Sequence, residues 1–273
     1  MTALNVQIAE ALSRIRQEKP LIHHITNLVV MNDTANVTLH VGALPVMAHA
    51  IEEVAEMVGL AGALVLNPGT LTLDWVESML AAGRRANERG VPIVLDPVGA
   101  GATTLRTQTN LRLLSELRIA VVRGNSGEIG ALSGAGGVVK GVESVEGVRD
   151  PIAVAQALAR ERRTVVAITG KRDVISDGQR VLGVDNGHIW LTTITGTGCM
   201  ATTMIAAFAA VERDYLLATA GGLACFGLAA ELAAAQAHGP ASFKLALFDQ
   251  IYNLTPEQLA EGAHVVELEP AQV

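Results

Sequence analysis

The chain has 273 residues, of which 50% are hydrophobic, 17% are charged and 3% are aromatic. This composition excludes an intrinsically disordered chain, which combines low hydrophobicity with high charge. The formal net charge of −7 and the pI near 5.5 argue against a nucleic-acid binder, which carries a basic surface.

The mean hydropathy of +0.36 raises the question of a membrane span. The longest charge-free run, residues 186–211, contains polar side chains and the Gly196/Gly198 pair, so we interpret it as strand, loop and buried helix. The apolar run 216–230 is too short to span. The N-terminus lacks the apolar segment of a signal peptide, and two cysteines make no disulfide framework. We therefore expect a cytoplasmic protein.

The first half of the chain alternates short apolar runs with longer amphipathic ones. Gly90 marks one helix end, because glycine adopts the left-handed conformation that terminates helices. In chain order, the pattern predicts a helix over 4–17, a strand over 21–25, a helix over 32–41, a strand over 44–47, a helix over 52–58, a strand over 63–66, a helix over 73–89, a strand over 91–95, a helix over 107–117 and a strand over 119–122.

The second half continues this alternation and then changes. Asp177-Gly178 and Asn186-Gly187 are hairpin signals between short strands. The remaining predictions are a helix over 126–132, a surface loop over 134–147, a helix over 150–162, strands over 165–168, 174–176, 180–184 and 189–191, and helices after 198. Alternating strands and helices predict one α/β domain over residues 1–273, with a mostly parallel central sheet covered by helices on both faces. The hairpins would add antiparallel strands at one edge.

Ligands of such sheets bind beyond the carboxyl ends of the strands. Asp96, Arg123 and Thr169 end three of the predicted strands, and the segment 195–199 is a Gly-rich turn that leads into a helix. Backbone N–H groups at such a turn form an anion site, although a simple tight turn is the alternative interpretation. Cys199 lies where a helix N-terminus would lower a thiol pKa; alternatively it is a small buried residue.

Two carboxylates and one arginine have both a functional and a structural interpretation. Glu128 follows Asn125 at the spacing of a capping box, or it holds a phosphate-bound Mg²⁺ through water. Asp96 is a second Mg²⁺ candidate, or an ordinary turn residue. Arg123 has the fork geometry that grips phosphate oxygens, or it forms a surface ion pair.

Ordered motifs spread over nearly the whole chain match a known family. Their number and order make a chance match implausible, and the segments around Asn27, Met47 and Cys199 are the family-specific part. They are Ile25-Thr26-Asn27, Met31-Asn32, Thr34-Ala35-Asn36, Gly42-Ala43, Pro45-Val46-Met47-Ala48-His49-Ala50, Glu52-Glu53-Val54, Leu95-Asp96-Pro97-Val98-Gly99, Gly101-Ala102-Thr103, Arg123-Gly124-Asn125 with Glu128, and Thr195-Gly196-Thr197-Gly198-Cys199. On these residues the chain resembles the hydroxyethylthiazole kinases of the ribokinase-like superfamily.

The resemblance implies transfer of the ATP γ-phosphoryl group to the hydroxyl of 4-methyl-5-(2-hydroxyethyl)thiazole, in thiamine salvage. It also implies a trimer with its sites near subunit contacts, which would fit the apolar excess of the composition. By matching motif, the implied roles are ATP binding for Arg123 and Thr169, thiazole binding for Met47, Gly196 and Asn27, and organisation of Mg²⁺ and phosphates for Asp96 and Glu128.

Cys199 stands where sugar kinases of this fold carry an aspartate base. A thiolate there could accept the substrate proton, although the loose transition state of phosphoryl transfer needs no strong base. Two other functions remain open, because fold alone does not fix function. One is a different reaction on the same fold, such as a pyrimidine-alcohol kinase or an ADP-yielding repair dehydratase. The other is a non-catalytic thiazole- or nucleotide-binding module.

Overall fold

The computed structural model describes residues 2–134, 138–140, 143–146 and 148–271. Its strands are β1 Leu21–Ile25, β2 Leu44–Val46, β3 Ala63–Leu66, β4 Ile93–Leu95, β5 Val121–Asn125, β6 Val138–Lys140, β7 Glu143–Glu146, β8 Val165–Thr169, β9 Asp173–Ser176, β10 Val181–Val184 and β11 Val265–Leu268. Within the described residues, nine strands form one sheet in the order β11-β10-β9-β8-β5-β4-β3-β1-β2. The strands from β8 to β2 pair in parallel, whereas β9, β10 and β11 pair antiparallel at one edge, as the sequence predicts.

The helices follow the amphipathic runs and their capping signals. Thr72 and Asp150 accept backbone N–H bonds at the starts of two helices, and Gly90 ends the helix that Thr72 begins, at φ +70°. The helices are α1 Ala3–Glu18, α2 Met31–Val41, α3 Val54–Val58, α4 Leu73–Arg89, α5 Thr104–Glu116, α6 Ser126–Ser133, α7 Pro151–Arg162, α8 Thr197–Val211, α9 Tyr215–Ala234, α10 Pro240–Asn253 and α11 Pro256–Gly262.

Helices cover both faces of the sheet, which creates two hydrophobic cores. Successive residues of β5 point to opposite faces: Val121 packs into the core built with α1, α2, α8, α9 and α10, and Val122 into the core built with α4, α5 and α7. Because both faces are buried, the central strands β3 and β4 are apolar throughout rather than alternating. This confirms the predicted α/β class and its doubly covered sheet.

Helix α9 corrects the prediction that its apolar run is too short to span a membrane. It has 20 residues, and its length and hydropathy meet the criteria for a membrane span. However, 89% of the apolar window is buried inside the protein, mainly against α8 and α10. Burial on all sides explains why the helix lacks a polar face, since a helix in the centre of a core needs none.

The predicted strand over 189–191 is wrong, because the segment Ile189–Thr193 is a 3-10 helix. The Thr192 and Thr193 hydroxyls donate to the carbonyls of Ile189 and Trp190, so local side-chain bonds replace a strand ladder. Asn186-Gly187 consequently leads into a helical turn, whereas Asp177-Gly178 does join β9 to β10 as a hairpin.

Two further segments differ from the sequence-based prediction. Within the predicted surface loop 134–147, β6 and β7 pair as an antiparallel ribbon, and residues 135–137, 141, 142 and 147 lie outside the described residues. The C-terminal region is not helical throughout, since β11 pairs with β10. Asn5 of α1 donates to the carbonyls of Ala260 and Ala263, which ties the first helix to the segment just before β11.

Candidate functional site

Six neighbouring parallel strands each carry a polar or sulfur-containing residue within two residues of their carboxyl end, at the same edge of the sheet. The order of the strands in space therefore sets the order of the side chains, whatever their separation in the sequence. From β8 to β2, these residues are Thr169, Arg123, Asp96, Asn67, Asn27 and Met47. The first turn of α8 supplies Gly196 and Cys199 to the same edge, and α6 supplies Glu128.

Asp96 is the buried centre of this row. Its Oδ2 accepts hydrogen bonds from Asn67 Nδ2 and from Thr202 Oγ1, both at 3.0 Å, and Arg123 Nη1 lies 4.0 Å from Oδ1. Burial raises the pKa of the Asp96 carboxyl, while Arg123 and the hydrogen bonds oppose the increase. The structural alternative of an ordinary turn residue does not explain this convergence of three side chains.

Glu128 forms a capping box and also faces the site. Its Oε2 accepts from the Asn125 backbone at 2.9 Å, and Asn125 Oδ1 accepts from the Glu128 backbone at 2.9 Å, so the capping interpretation is confirmed. Its Oε1 accepts from Gly99 N at 2.8 Å, in the loop after β4. Burial, and then the charge of Asp96, raise the pKa of Glu128 to about 7. The carboxylate therefore lies within the electrostatic field of the site.

Arg123 lies across the start of α8. Its Nη2 donates to Thr169 Oγ1 over 2.7 Å, which holds the two residues together. A Cβ on Gly198 would lie 2.6 Å from Arg123 Nη1, so this glycine allows the guanidinium to approach the first turn of the helix. Gly196 precedes the helix at φ +85°, a conformation that favours glycine. The guanidinium and the helix N-terminus together form a region that attracts anions.

Cys199 shares the amide of Asn67 with Asp96. Its Sγ accepts from Asn67 Nδ2 at 3.1 Å and from Asn27 Nδ2 at 3.6 Å. Burial, and then the negative charge of Asp96, raise the pKa of the Cys199 thiol to about 12. This overturns the expectation that the helix N-terminus lowers that pKa, because burial and a neighbouring carboxylate outweigh the helix dipole.

The side chains at the β1 and β2 end of the row, Asn27 and Met47, are uncharged. Asn27 Nδ2 donates to Asn67 Oδ1 over 2.9 Å, and Met47 lies half-buried after β2. A Cβ on Gly196 would lie 2.6 Å from Val30 Cγ1, so the glycine turn lies against the loop that follows Asn27. Met47 joins this group through His49, which bonds the backbones of both Met47 and Thr26.

Sequence reasoning missed Asn67, Thr202 and His49. Asn67 directly follows the buried strand β3, and the strand-end rule that singles out Asp96 applies equally to it. Thr202 lies one helical turn after Cys199 on α8, where no sequence signal marks it. His49 lies inside a family-specific motif, but nothing in the motif indicates its two backbone bonds.

The carboxylates fit a hydrated, phosphate-bound Mg²⁺ better than a cation held by protein ligands alone. Among the described residues, no cluster of three or more His, Cys, Asp and Glu side chains is arranged to hold a metal ion. Mg²⁺ typically uses one or two carboxylates together with water and substrate phosphates. Burial raises the pKa of both Asp96 and Glu128, and the charge of Asp96 raises the pKa of Glu128 further, so a divalent cation nearby would favour the ionised carboxylates.

Comparison with known proteins identifies the family. Residues 12–257 match the model of the hydroxyethylthiazole kinase family. A hydroxyethylthiazole kinase of Roseiflexus sp. (strain RS-1) is 76% identical over 267 residues, which cover 98% of this chain and 99% of that protein. The structure of hydroxyethylthiazole kinase from Pyrococcus horikoshii OT3 has 48% sequence identity and a TM-score of 0.89, with 96% of this chain and 99% of that chain covered.

A more distant neighbour shows the fold alone. A ribokinase-like superfamily protein from Enterococcus faecalis V583 has a TM-score of 0.64 at 12% identity, with 91% of this chain and 95% of that chain covered. The sheet order and the doubly covered architecture are thus those of the ribokinase-like fold. With a family match over most of its length and relatives that align over nearly all of it, the chain belongs to the hydroxyethylthiazole kinase family.

Proposed function

We propose that this protein transfers the γ-phosphoryl group of ATP to the hydroxyl of 4-methyl-5-(2-hydroxyethyl)thiazole, in thiamine salvage. The observation that carries the proposal is the row of strand ends, which changes from cationic at Arg123 to anionic at Asp96 and to neutral at Asn27. A phosphate donor matches the first part of this row, and an uncharged alcohol matches the last. Asp96 and the N-terminus of α8 lie between them.

The ATP end consists of Arg123, Thr169 and the first turn of α8. Arg123 already has its guanidinium oriented by Thr169, so little reorganisation is needed to bind phosphate oxygens. The N–H groups at the start of α8 extend the same positive region. Phosphoryl transfer depends mainly on such positioning and on charge stabilisation.

Asp96 and Glu128 would hold Mg²⁺. When bound, the ion would supply positive charge that stabilises the negative charge of the transferred phosphoryl group. Asn67 and Thr202 keep the Asp96 carboxylate in one orientation, and the backbone N–H groups of Gly99 and Asn125 do the same for Glu128. These fixed orientations support a defined position for the phosphates.

The acceptor end consists of Asn27, Met47 and Gly196, with Cys199 beside it. The Cys199 thiol, with a pKa near 12 in the protein alone, stays protonated at neutral pH and is a poor base. Its part in the reaction is then to stay close to the reacting hydroxyl within the network of Asn27 and Asn67. Phosphoryl transfer has a loose transition state, so the hydroxyl can react without a strong base beside it.

We also propose that residues 1–273 form one domain, that the protein is cytoplasmic and that it assembles as a homotrimer. Exposed apolar side chains near the acceptor end support subunit contact there, since Leu28 is 67% exposed, Val29 63% and Ile51 48%. Sedimentation at micromolar concentration is expected to give three times the chain mass. A monomer under those conditions would contradict the trimer.

An ADP-release assay tests the activity directly. Purified protein, ATP and Mg²⁺ are combined with the thiazole alcohol, with hydroxymethylpyrimidine, or with no acceptor. We expect ADP release that depends on the thiazole alcohol. Release with the pyrimidine alone would favour the pyrimidine-alcohol kinase, and binding of the thiazole without any ADP would favour the non-catalytic module.

A further inference from the structure

His49 connects the two loops that carry Met47 and Asn27. Thr26 N donates to His49 Nε2 over 3.1 Å, and His49 Nδ1 lies 3.1 Å from the Met47 carbonyl oxygen. Nε2 also lies 3.2 Å from the Thr26 carbonyl oxygen. With the ring hydrogen on Nδ1, the neutral imidazole donates to the Met47 carbonyl and accepts from the Thr26 N–H. A single tautomer therefore satisfies both loops.

Two aromatic neighbours restrict this histidine and its segment. The His49 ring lies against Trp75 in the first turn of α4, with ring centroids 4.6 Å apart and planes inclined by 31°. His23 of β1 donates from Nε2 to the carbonyl of Ala48 over 2.8 Å. The segment from Met47 to His49 is thus held by β1 on one side and by α4 on the other, which limits rotation of the imidazole.

We propose that His49 is a positioning residue for the thiazole alcohol: it fixes Met47 and Asn27 relative to each other without touching the substrate. This inference rests on the proposed function, which assigns those two residues to the thiazole. Arg123 and Thr169 lie at the other end of the row, on β5 and β8. Loss of the two imidazole bonds should therefore affect the acceptor and leave ATP binding largely intact.

Three substitutions separate the two bonds. His49→Phe keeps a ring beside Trp75 and removes both bonds. His49→Asn places an amide near the former Nδ1 and so retains the bond to Met47, while His49→Gln reaches the former Nε2 and retains the bond to Thr26. We expect KM for the thiazole alcohol to increase about tenfold or more in His49→Phe, because each net hydrogen bond contributes up to about tenfold.

In the same variant, kcat and KM for ATP should change by less than about threefold, and the Asn and Gln variants should give intermediate KM values for the thiazole. A merely structural role would instead change KM for both substrates together. Equal increases in both KM values, or an unchanged KM for the thiazole alcohol, would overturn the proposal. If His49→Phe fails to fold, the KM values of His49→Asn and His49→Gln for the thiazole alcohol and for ATP, compared with those of the parent, still test the proposal.

A binding measurement without turnover provides the second readout. The chain has two tryptophans, so Trp190→Phe leaves Trp75 as the one indole fluorophore, in contact with His49. Titration of this parent with the thiazole alcohol alone gives a Kd, which should increase about tenfold when His49→Phe is added. A Kd within twofold of the parent would also overturn the proposal.

The two proposals can fail separately. A parent protein that binds the thiazole but releases no ADP would end the proposed function, and the titration would still test His49. A parent that does not bind the thiazole at all would overturn both.

Discussion

At the scale of single residues, Asn67 shows how one amide can order an active site. It is 1% exposed and uses both of its polar atoms, since Oδ1 accepts from Asn27 and Gly69 while Nδ2 donates to Asp96 and Cys199. Gly69 N can only donate, which fixes the orientation of the amide. The two hydrogens of Nδ2 therefore point toward Asp96 and Cys199, while Oδ1 faces Asn27 and Gly69.

Asn67→Asp should lower kcat by at least about 100-fold, because it removes both donors and places a carboxylate 3.0 Å from the buried Asp96. Steady-state kinetics measure the loss. Asn5→Asp is the matched control: Asn5 is also buried and donates to two carbonyls, but only between α1 and the C-terminal segment. It should lower the Tm and leave kcat within about threefold. An active Asn67→Asp enzyme would show that the network is dispensable.

Cys199 should be replaceable without loss of the reaction. A thiol with a pKa near 12 contributes little as a base, so Cys199→Ser should keep measurable turnover. Cys199→Asp should be as active as the parent or more active, since it places a carboxylate where sugar kinases of this fold have one. Kinetics at saturating ATP and thiazole test both variants. Complete loss of turnover in both, with an unchanged Tm, would make the thiol essential.

At the scale of elements, the start of α8 depends on the absence of one side chain. In Gly198→Ala the new Cβ would meet Arg123 Nη1, the end of a flexible side chain, so the helix should fold while the guanidinium is displaced. We expect KM for ATP to increase about tenfold, consistent with loss of a charge-assisted hydrogen bond. Gly239→Ala, where a Cβ meets nothing within 4 Å, is the control and should leave KM unchanged.

The same scale shows how far the sequence predicts the structure. The central strands were predictable because a sheet buried on both faces needs apolar runs such as Val165–Thr169. Several elements outside the centre of the sheet were not predictable, and two of them show the reason. Ile189–Thr193 has apolar residues but satisfies its backbone through threonine hydroxyls, and Val265–Leu268 is a four-residue edge strand whose two central residues are exposed.

In the candidate site, the strand-end rule predicted Asp96, Arg123 and Thr169 as neighbours, and the structure brings them together. The hydrogen bond from Thr202 to Asp96 could not be predicted, because it depends on how α8 crosses the ends of the strands. The bond from Asn67 joins the ends of the paired strands β3 and β4, where the strand-end rule applies. The pKa of Cys199 was predicted in the wrong direction for a related reason, since the sequence does not show how deeply a helix N-terminus is buried.

At the scale of the whole molecule, buried histidines make stability depend on pH. Burial lowers the pKa of His24 to about 3 from an ordinary value of 6.5. Between these two values the unfolded chain binds more protons than the folded one, so the free energy of unfolding should fall as the pH decreases, by at most about 1.4 kcal/mol per pH unit for this group.

His24→Gln, which keeps an amide donor near Thr38 Oγ1 and cannot titrate, isolates this effect. Urea unfolding at pH 7 and pH 5 should show a smaller difference in the free energy of unfolding for the variant than for the parent. Glu128 acts in the opposite direction over part of this range, because its raised pKa favours proton binding by the folded state. An identical pH dependence in variant and parent would contradict the assignment to His24.

The row of strand ends also has a fixed length. Thr169 and Met47 end strands five positions apart in the sheet, and at a spacing of about 4.8 Å per strand they lie roughly 24 Å from each other along the edge. The sheet cannot shorten this span, because each interval is set by backbone hydrogen bonds. The protein therefore selects its two substrates partly by their combined length, which must match the distance between the two ends of the row. In the proposed function the phosphate donor binds at Arg123 and Thr169 and the acceptor binds near Met47, so a shorter donor or acceptor would leave a gap between the reacting atoms.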